Sequence, residues 1–163
     1  MSKFLSINFF SESELKVYLN TFIGKQIEWK NCSYFCKAGK YFENTDSYFL
    51  QVKAYIQLYK VYSEITEQYK INFKLPVNSL FRPAFSVLTD NGKKYTDLLD
   101  LTTLYSHFLG ISIDFDFSMF ERDTGLSRNI LIEKLTKHGF FAPFSAPENG
   151  GEYWHYSLKH DFL

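Results

Sequence analysis

The chain has 163 residues, of which 45% are hydrophobic and 20% aromatic, and its 18 Lys and Arg balance 18 Asp and Glu. This composition excludes a disordered chain, which requires low hydrophobicity or a high net charge, and the length suits one domain with a single core. The charge balance also argues against a nucleic-acid partner, because a broad nucleic-acid surface requires clustered positive charge.

The N-terminal stretch MSKFLSINFFSESELK has polar residues where a secretory signal is continuously apolar. No apolar run along the chain is long enough to span a bilayer. We therefore expect a protein that is made in the cytosol without an export signal of the usual kind and without a membrane span. The same stretch contains Ser11-Glu12-Ser13-Glu14, a capping-box pattern that predicts a helix from about Glu12 to Phe22, closed by Gly24.

A second helix is predicted from about Ser47 to Tyr69, after a weakly patterned region at 25–45. Its apolar residues recur at helical spacing and should form one face: Leu50, Ala54, Ile56, Leu58, Val61 and Ile65. Cys32 and Cys36 lie within the weakly patterned region as a C-x3-C pair. Without further ligands at zinc spacing, we interpret them as two free thiols on an aromatic cluster.

The second half of the chain has the residue pattern of a β-sheet. The stretch INFKLPV at 71–77 alternates between apolar and polar residues like a strand until Pro76 interrupts it. The pattern at 85–99 predicts a hairpin whose turn is Asn91-Gly92. In ISIDFDF at 111–117, four apolar residues share one face of a strand, and Ser112, Asp114 and Asp116 share the other.

A third helix is predicted near Ser127–His138, ending at Gly139, and the last strand is YWHYSL at 153–158. The element order predicts an α+β fold with a mostly antiparallel sheet. We expect one domain over residues 1–163, with a helical N-terminal part at 1–75 and the sheet at 76–163.

Asp114 lies on the polar face of its strand, and His107 lies seven residues earlier, with Gly110 between them. An odd spacing would send these side chains to opposite faces of an ideal strand, so a kink at Gly110 is needed to bring them together. Glu152 and His155, three residues apart, have the same parity problem. Gly150-Gly151 would let Glu152 lie on the loop that leads into the last strand.

Two histidines and an aspartate form a sensible ligand set for catalytic zinc, which takes three protein ligands and leaves its fourth position to water. A carboxylate beside the ion can take a proton from that water, which suits Glu152. Such a hydrolase also requires a cation or a donor for the developing oxyanion, and Arg82 is one of only three arginines.

Four other residues compete for a role and receive simpler interpretations. We expect Asp116 to be solvated or to orient a ligand histidine. His138 closes a helix, where positive charge is favoured. His160 should be exposed. Trp154 is expected to pack against the core rather than to stack against substrate.

Two motifs, H-x-x-G-x-x-x-D at 107–114 and E-x-W-H at 152–155, resemble those of the zinc D-alanyl-D-alanine peptidases. These enzymes group with the lysostaphin-type enzymes and the hedgehog domain. The family pattern reads S-x-H-x-x-G-x-A-x-D followed by E-x-W-H, and here Tyr105 and Ser112 replace its Ser and its Ala. The resemblance covers about residues 80–157.

The resemblance implies a hedgehog-like or D,D-peptidase-like sheet that carries a zinc site. It implies that zinc is bound by His107, Asp114 and His155, that Glu152 is the catalytic base, and that Arg82 contacts the substrate. Family members cleave peptidoglycan peptides as carboxypeptidases, D,D-dipeptidases or phage endolysins that act between L-Ala and D-Glu.

The sequence therefore predicts a zinc-dependent peptidase, expected as a monomer, that hydrolyses an amide bond in peptidoglycan stem peptides. It would act on the cell wall as an endolysin-like enzyme or an exported effector. The alternatives are a cytosolic D-Ala-D-Ala dipeptidase, a non-catalytic binding module stabilised by zinc, and an interaction domain without metal.

Overall fold

The computed structural model of the protein describes residues 29–38, 48–81 and 107–162. The helices in these ranges are α1 (Val52–Tyr69), α2 (Phe117–Thr124) and α3 (Arg128–Lys137). The strands are β1 (Trp29–Asn31), β2 (Phe35–Lys37), β3 (Phe49–Gln51), β4 (Leu75–Ser79), β5 (Ser112–Phe115), β6 (Phe140–Phe141) and β7 (His155–Leu158). The described part of the chain is therefore α+β, as predicted.

Five of the strands form one sheet in the order β2-β4-β5-β7-β6, and β1 pairs with β3 in a separate two-stranded ribbon. All pairs are antiparallel except β2 with β4, so the sheet is mostly antiparallel, as predicted. β2 and the β1–β3 ribbon lie in the part of the chain that we expected to be helical. Strand β5 lies inside the sheet, between β4 and β7.

The core side of α1 is a stripe of four buried residues at spacings of three and four: Ala54, Leu58, Val61 and Ile65. Ile56 was predicted on the same face, but its side chain is 44% exposed. It follows Ala54 by only two positions, about 200° around a helix, which places it on the opposite side.

Helix α1 begins at Val52 rather than near Ser47, because Phe49–Gln51 form strand β3 instead of a first helical turn. The backbone N–H of Gln51 donates to the carbonyl of Gly110 over 2.9 Å, and its side-chain amide donates to the carbonyl of Leu109. These bonds attach the start of the helix to the turn that precedes β5.

Strand β4 runs through Pro76, which was predicted to interrupt it. Pro76 has no N–H to donate, but its carbonyl accepts from the backbone N–H of Asp116 over 3.0 Å. Strand β5 ends at Phe115, two residues earlier than predicted, because Asp116 caps α2. The Asp116 carboxylate accepts from the backbone N–H of Met119 over 2.8 Å, an N-cap bond that ends the strand and begins a helix the pattern did not predict.

The predicted helix near Ser127–His138 is confirmed as α3, with Ser127 as its N-cap and His138 as its C-cap. The last strand begins at His155 rather than at Tyr153. The predicted helix at 12–22 and the hairpin at 85–99 lie outside the described residues. None of the described helices combines the length and the apolar character that crossing a membrane requires.

Candidate metal centre

The register of β5 and β7 places two pairs of polar residues side by side within the sheet. Asp114 lies directly opposite His155, and Ser112 lies directly opposite Ser157. Opposed residues of an antiparallel pair project from the same face, and so do residues two apart along a strand. The four side chains therefore form one polar patch on the β5–β7 pair.

His107 reaches this patch from a short 3₁₀ turn, His107–Leu109, rather than from the strand itself. Gly110 follows at a φ of +69°, and its N–H closes the turn on the carbonyl of His107 over 3.1 Å. This left-handed position is one that glycine adopts without strain. The change of chain direction at Gly110 resolves the odd spacing between His107 and Asp114 in the way the sequence required.

The three predicted ligands converge. Nε2 of His107 lies 3.2 Å from Oδ2 of Asp114, and Nδ1 of His155 lies 2.9 Å from Oδ1 of the same carboxylate. One ligand atom from each residue lies within 4.8 Å of the other two. Ligands held about 2.0–2.1 Å from a tetrahedral zinc ion are about 3.3 Å from each other. The group could therefore hold a metal ion.

The charge of Asp114 is set by two opposing effects. Its burial alone would raise the pKa, but the adjacent His107 and His155 outweigh burial and hold the pKa well below its usual range. The side chain of Asp114 is 15% exposed, against 5% and 4% for the two histidines. The centre therefore has a charged carboxylate between two imidazoles, and this carboxylate is the most solvent-exposed of the three groups.

The far nitrogens of the two histidines are held by different kinds of group. Nδ1 of His107 lies 2.8 Å from the carbonyl oxygen of Leu80 and 3.4 Å from Oγ of Ser79. Nε2 of His155 lies 3.2 Å from Oγ of Ser157. Such outer contacts orient metal-ligating imidazoles.

Glu152 lies on the loop before β7, as predicted from the two glycines. Gly150 and Gly151 have φ values of +115° and +69°. The backbone N–H of Glu152 then donates to the carbonyl of Phe144 over 2.7 Å, and its own carbonyl accepts from the N–H of His155 over 3.3 Å. Glu152 is half-buried and is not a member of the three-residue ligand group. Its carboxylate is therefore an acid close in sequence to a ligand but outside the ligand set.

The competing residues have other partners. Asp116 lies after the end of β5, where its carboxylate caps α2. Nε2 of His138 lies 2.8 Å from a carboxylate oxygen of Glu64 on α1. His160 is exposed and Trp154 packs against the core, as expected.

The remaining predicted residues are Arg82 and the two cysteines. Arg82 lies outside the described residues, directly after the buried Phe81. Cys32 and Cys36 are free thiols, as predicted, and Cys32 is part of the core with Tyr34. Burial raises the pKa of Cys32 to about 12, although nearby Lys30 opposes that shift.

Sequence reasoning missed the residues that hold the imidazoles: Ser79, Leu80 and Ser157. For Ser157 the sequence did contain a signal. His155 and Ser157 are two residues apart, the spacing of side chains on one face of a strand, and Ser112 and Asp114 have the same spacing. A strand pairing that sets Asp114 opposite His155 necessarily sets Ser112 opposite Ser157. No comparable signal predicted the carbonyl of Leu80.

Comparison of the chain with family models, with curated proteins and with solved structures found no match in any of the three. The residues of the candidate centre and the two motifs that contain them are therefore the features that indicate a function.

Proposed function

We propose that the protein is a zinc metallopeptidase that hydrolyses an amide bond in peptidoglycan stem peptides. The observation that carries the proposal is the convergence of His107, Asp114 and His155 on one point. Two imidazoles and one carboxylate are a ligand set typical of catalytic zinc, whereas structural zinc sites usually have four protein ligands. Among the described residues, the group has three.

Each residue of the centre has a distinct part in the proposed reaction. The two imidazoles and the Asp114 carboxylate would hold the ion through the atoms that already face one another. When bound, the ion would supply Lewis acidity that activates a water molecule and polarises the scissile carbonyl. Glu152 would accept a proton from the attacking water and deliver it to the departing amine. Arg82 is proposed to stabilise negative charge that develops on the carbonyl oxygen.

The choice of substrate rests on the resemblance to the D-alanyl-D-alanine peptidases. The two motifs occur in the family's order, with the E-x-W-H glutamate three residues before the second histidine. The loop geometry supports the role of Glu152, because the two left-handed glycines place it before the strand and not within it. An endolysin-like enzyme or an exported effector that acts on the cell wall fits these features.

Mass spectrometry of purified peptidoglycan after incubation with the Zn²⁺-loaded protein tests this proposal. A new break between L-Ala and D-Glu would identify an endopeptidase, and loss of one terminal D-Ala a carboxypeptidase. Hydrolysis of free D-Ala-D-Ala without attack on the polymer would instead identify a dipeptidase. Intact peptidoglycan and intact dipeptide, with a fully zinc-loaded protein, would overturn the proposal.

The variant Glu152→Gln tests the assignment of the base. Removing a general base lowers kcat by about 10²–10⁴-fold, so activity should fall while zinc content and folding are preserved. Glu148→Gln is the matched control, because Glu148 is an exposed acid on the same loop. Wild-type activity in Glu152→Gln would contradict its role.

The second candidate is a zinc-stabilised binding module without turnover. The low exposure of the two histidines, 5% and 4%, favours it, since structural zinc is commonly enclosed. This candidate predicts that zinc is bound and raises thermal stability, whereas the products expected from peptidoglycan never appear.

A further inference from the structure

Asn78 is the residue of β4 that has no residue of its own opposite it in β5. Val77 lies opposite Phe115 and Ser79 lies opposite Asp114, so Asn78 and Ser79 share the position opposite Asp114. Val77 and Phe115 face the core, at 0% and 1% exposure, whereas the half-buried Asn78 is not part of the core cluster. Ser79 projects from the same face as Asp114, because opposed residues of an antiparallel pair share a face. Asn78 therefore lies beside Ser79 on the side of the sheet that carries the candidate centre.

The carboxamide oxygen of Asn78 is buried, and no group in the described part of the chain donates a hydrogen bond to it. Nearly all buried polar atoms in proteins are hydrogen-bonded, because burying one without a partner is costly. Asparagine side chains commonly meet this requirement by bonding to nearby backbone groups. Oδ1 of Asn78 does not, so it is an acceptor that a ligand can satisfy.

Neither the backbone nor the core requires an asparagine at position 78. Asparagine is often found where the backbone is left-handed, but Lys70 is the one non-glycine residue with positive φ in the described ranges. The core cluster packs without Asn78. The carboxamide is therefore unexplained by the fold and calls for an explanation through a ligand.

The chemistry of the free atom restricts that ligand. Oδ1 only accepts, so the ligand must present an N–H or an O–H, which the oxygens of an ionised carboxylate or phosphate lack. A peptide group matches the whole carboxamide, because its N–H donates to Oδ1 while its carbonyl accepts from Nδ2. We infer that Asn78 is a substrate-binding residue that holds a peptide group of the stem peptide next to the scissile bond. This inference rests on the proposed function, and it requires a substrate with at least two peptide bonds.

Analogues of a synthetic peptidoglycan stem pentapeptide test the inference with the Zn²⁺-loaded wild-type protein. After mass spectrometry has located the cleaved bond, each neighbouring peptide N–H is replaced in turn by an ester oxygen, which cannot donate. One analogue should lose about 10-fold in kcat/KM, the effect of one hydrogen bond to a buried acceptor. Equal kcat/KM for the parent peptide and every analogue would overturn the inference and leave the peptidase function intact. A parent peptide that stays uncut by fully zinc-loaded protein would overturn both.

The variant Asn78→Ala assigns the effect to this side chain. It should lower kcat/KM on the parent peptide by about 10-fold and remove the difference between parent and ester analogue. Its zinc content should match that of the wild type, because Asn78 is not a member of the ligand group. Asn72→Ala removes an exposed carboxamide shortly before β4 and is the matched control. A folded Asn78→Ala protein that still discriminates against the ester analogue as strongly as wild type would contradict the inference.

Discussion

Ser79 lies directly opposite Asp114 across the β4–β5 pair, one residue out of step with the neighbouring pair of Val77 and Phe115. Asn78 lies between the two paired residues of β4, whereas Phe115 and Asp114 are adjacent in β5. This arrangement is a β-bulge, in which one strand has an extra residue and bends. An unbroken register would set a core residue of β5 opposite Ser79.

The bulge brings the end of β4 to the candidate metal centre. Beyond it, Oγ of Ser79 and the carbonyl of Leu80 lie 3.4 Å and 2.8 Å from Nδ1 of His107. A one-residue slip moves side chains to the other face of a strand, so the register shift determines what His107 contacts.

Deletion of Asn78 should therefore lower Zn²⁺ affinity by at least about 10-fold, because His107 would lose the groups that hold it. Competition of the protein against a chelating dye measures the affinity, and circular dichroism monitors the fold. Asn78→Ser is the control, since it preserves the residue count and the bulge. A folded deletion variant with wild-type affinity would show that the bulge does not support the centre.

Metal content should follow the three converging residues and no other histidine. Tag-free wild-type protein, loaded with Zn²⁺ and dialysed, should retain about one equivalent, whereas His155→Ala or Asp114→Asn should retain little, because two ligands hold zinc poorly. His160→Ala removes an exposed histidine and should retain the wild-type amount. Elemental analysis gives the stoichiometry, and full occupancy in both ligand variants would refute this centre.

Glu64 on α1 links the helix to the end of α3. Its carboxylate lies 2.8 Å from Nζ of Lys137 and 2.8 Å from Nε2 of His138. The hydrogen bond from Lys137 is the largest cause of a lowered pKa for Glu64, and the hydrogen bond from His138 is the second. The pKa falls from its usual 4.5 to about 2. A carboxylate whose pKa is lowered on folding stabilises the protein above its unfolded-state pKa, and this stabilisation is lost as pH falls through the folded-state value.

Glu64→Gln should accordingly lower the free energy of unfolding at about pH 6, by at most about 1 kcal/mol because the cluster is partly exposed. The difference from wild type should shrink as the pH falls from about 4.5 towards 2. Urea denaturation across this pH range measures it. Glu67→Gln removes an exposed acid of the same helix and serves as the control. A difference that stays constant down to about pH 2 would contradict the lowered pKa.

The sequence predicted those parts of the fold that local pattern and chemistry determine. The apolar face of 111–117 is buried as expected, with Ile111, Ile113, Phe115 and Phe117 at most 3% exposed. Helix α3 was found from its periodicity and its terminal residues. The group of His107, Asp114 and His155, which could hold a metal ion, was predicted from its spacing and from the glycines at 110 and at 150–151, where the chain can change direction.

The missed features depend on partners that are distant along the chain. Strands β2 and β6 have only three and two residues, too few to show alternation, and they exist because β4 and β7 pair with them. The boundary after Phe115 depends on whether Asp116 continues a strand or caps a helix. Both arrangements suit an aspartate locally, and the cap is favoured once Pro76 accepts the Asp116 N–H.

At Gly139, which follows α3, both the backbone conformation and a neighbouring side chain favour glycine. Its φ is +86°, and a Cβ at this position would lie 2.5 Å from Cε2 of Phe162. Gly125, which follows α2, has a similar φ of +70°, but among the described residues beyond its chain neighbours no atom lies within 4 Å of the corresponding position. The two glycines therefore share the backbone requirement, and only Gly139 has the close contact.

Gly125→Ala should cost about 1–2 kcal/mol from backbone strain alone. Gly139→Ala should cost more, by at most about 1 kcal/mol, because the added methyl group must displace the ring of Phe162, which is 40% exposed and can move. The double variant Gly139→Ala with Phe162→Ala should recover the excess but not the strain. Urea denaturation of the variants measures these differences, and equal costs for the two single substitutions would show that the packing of Phe162 on Gly139 contributes nothing to stability.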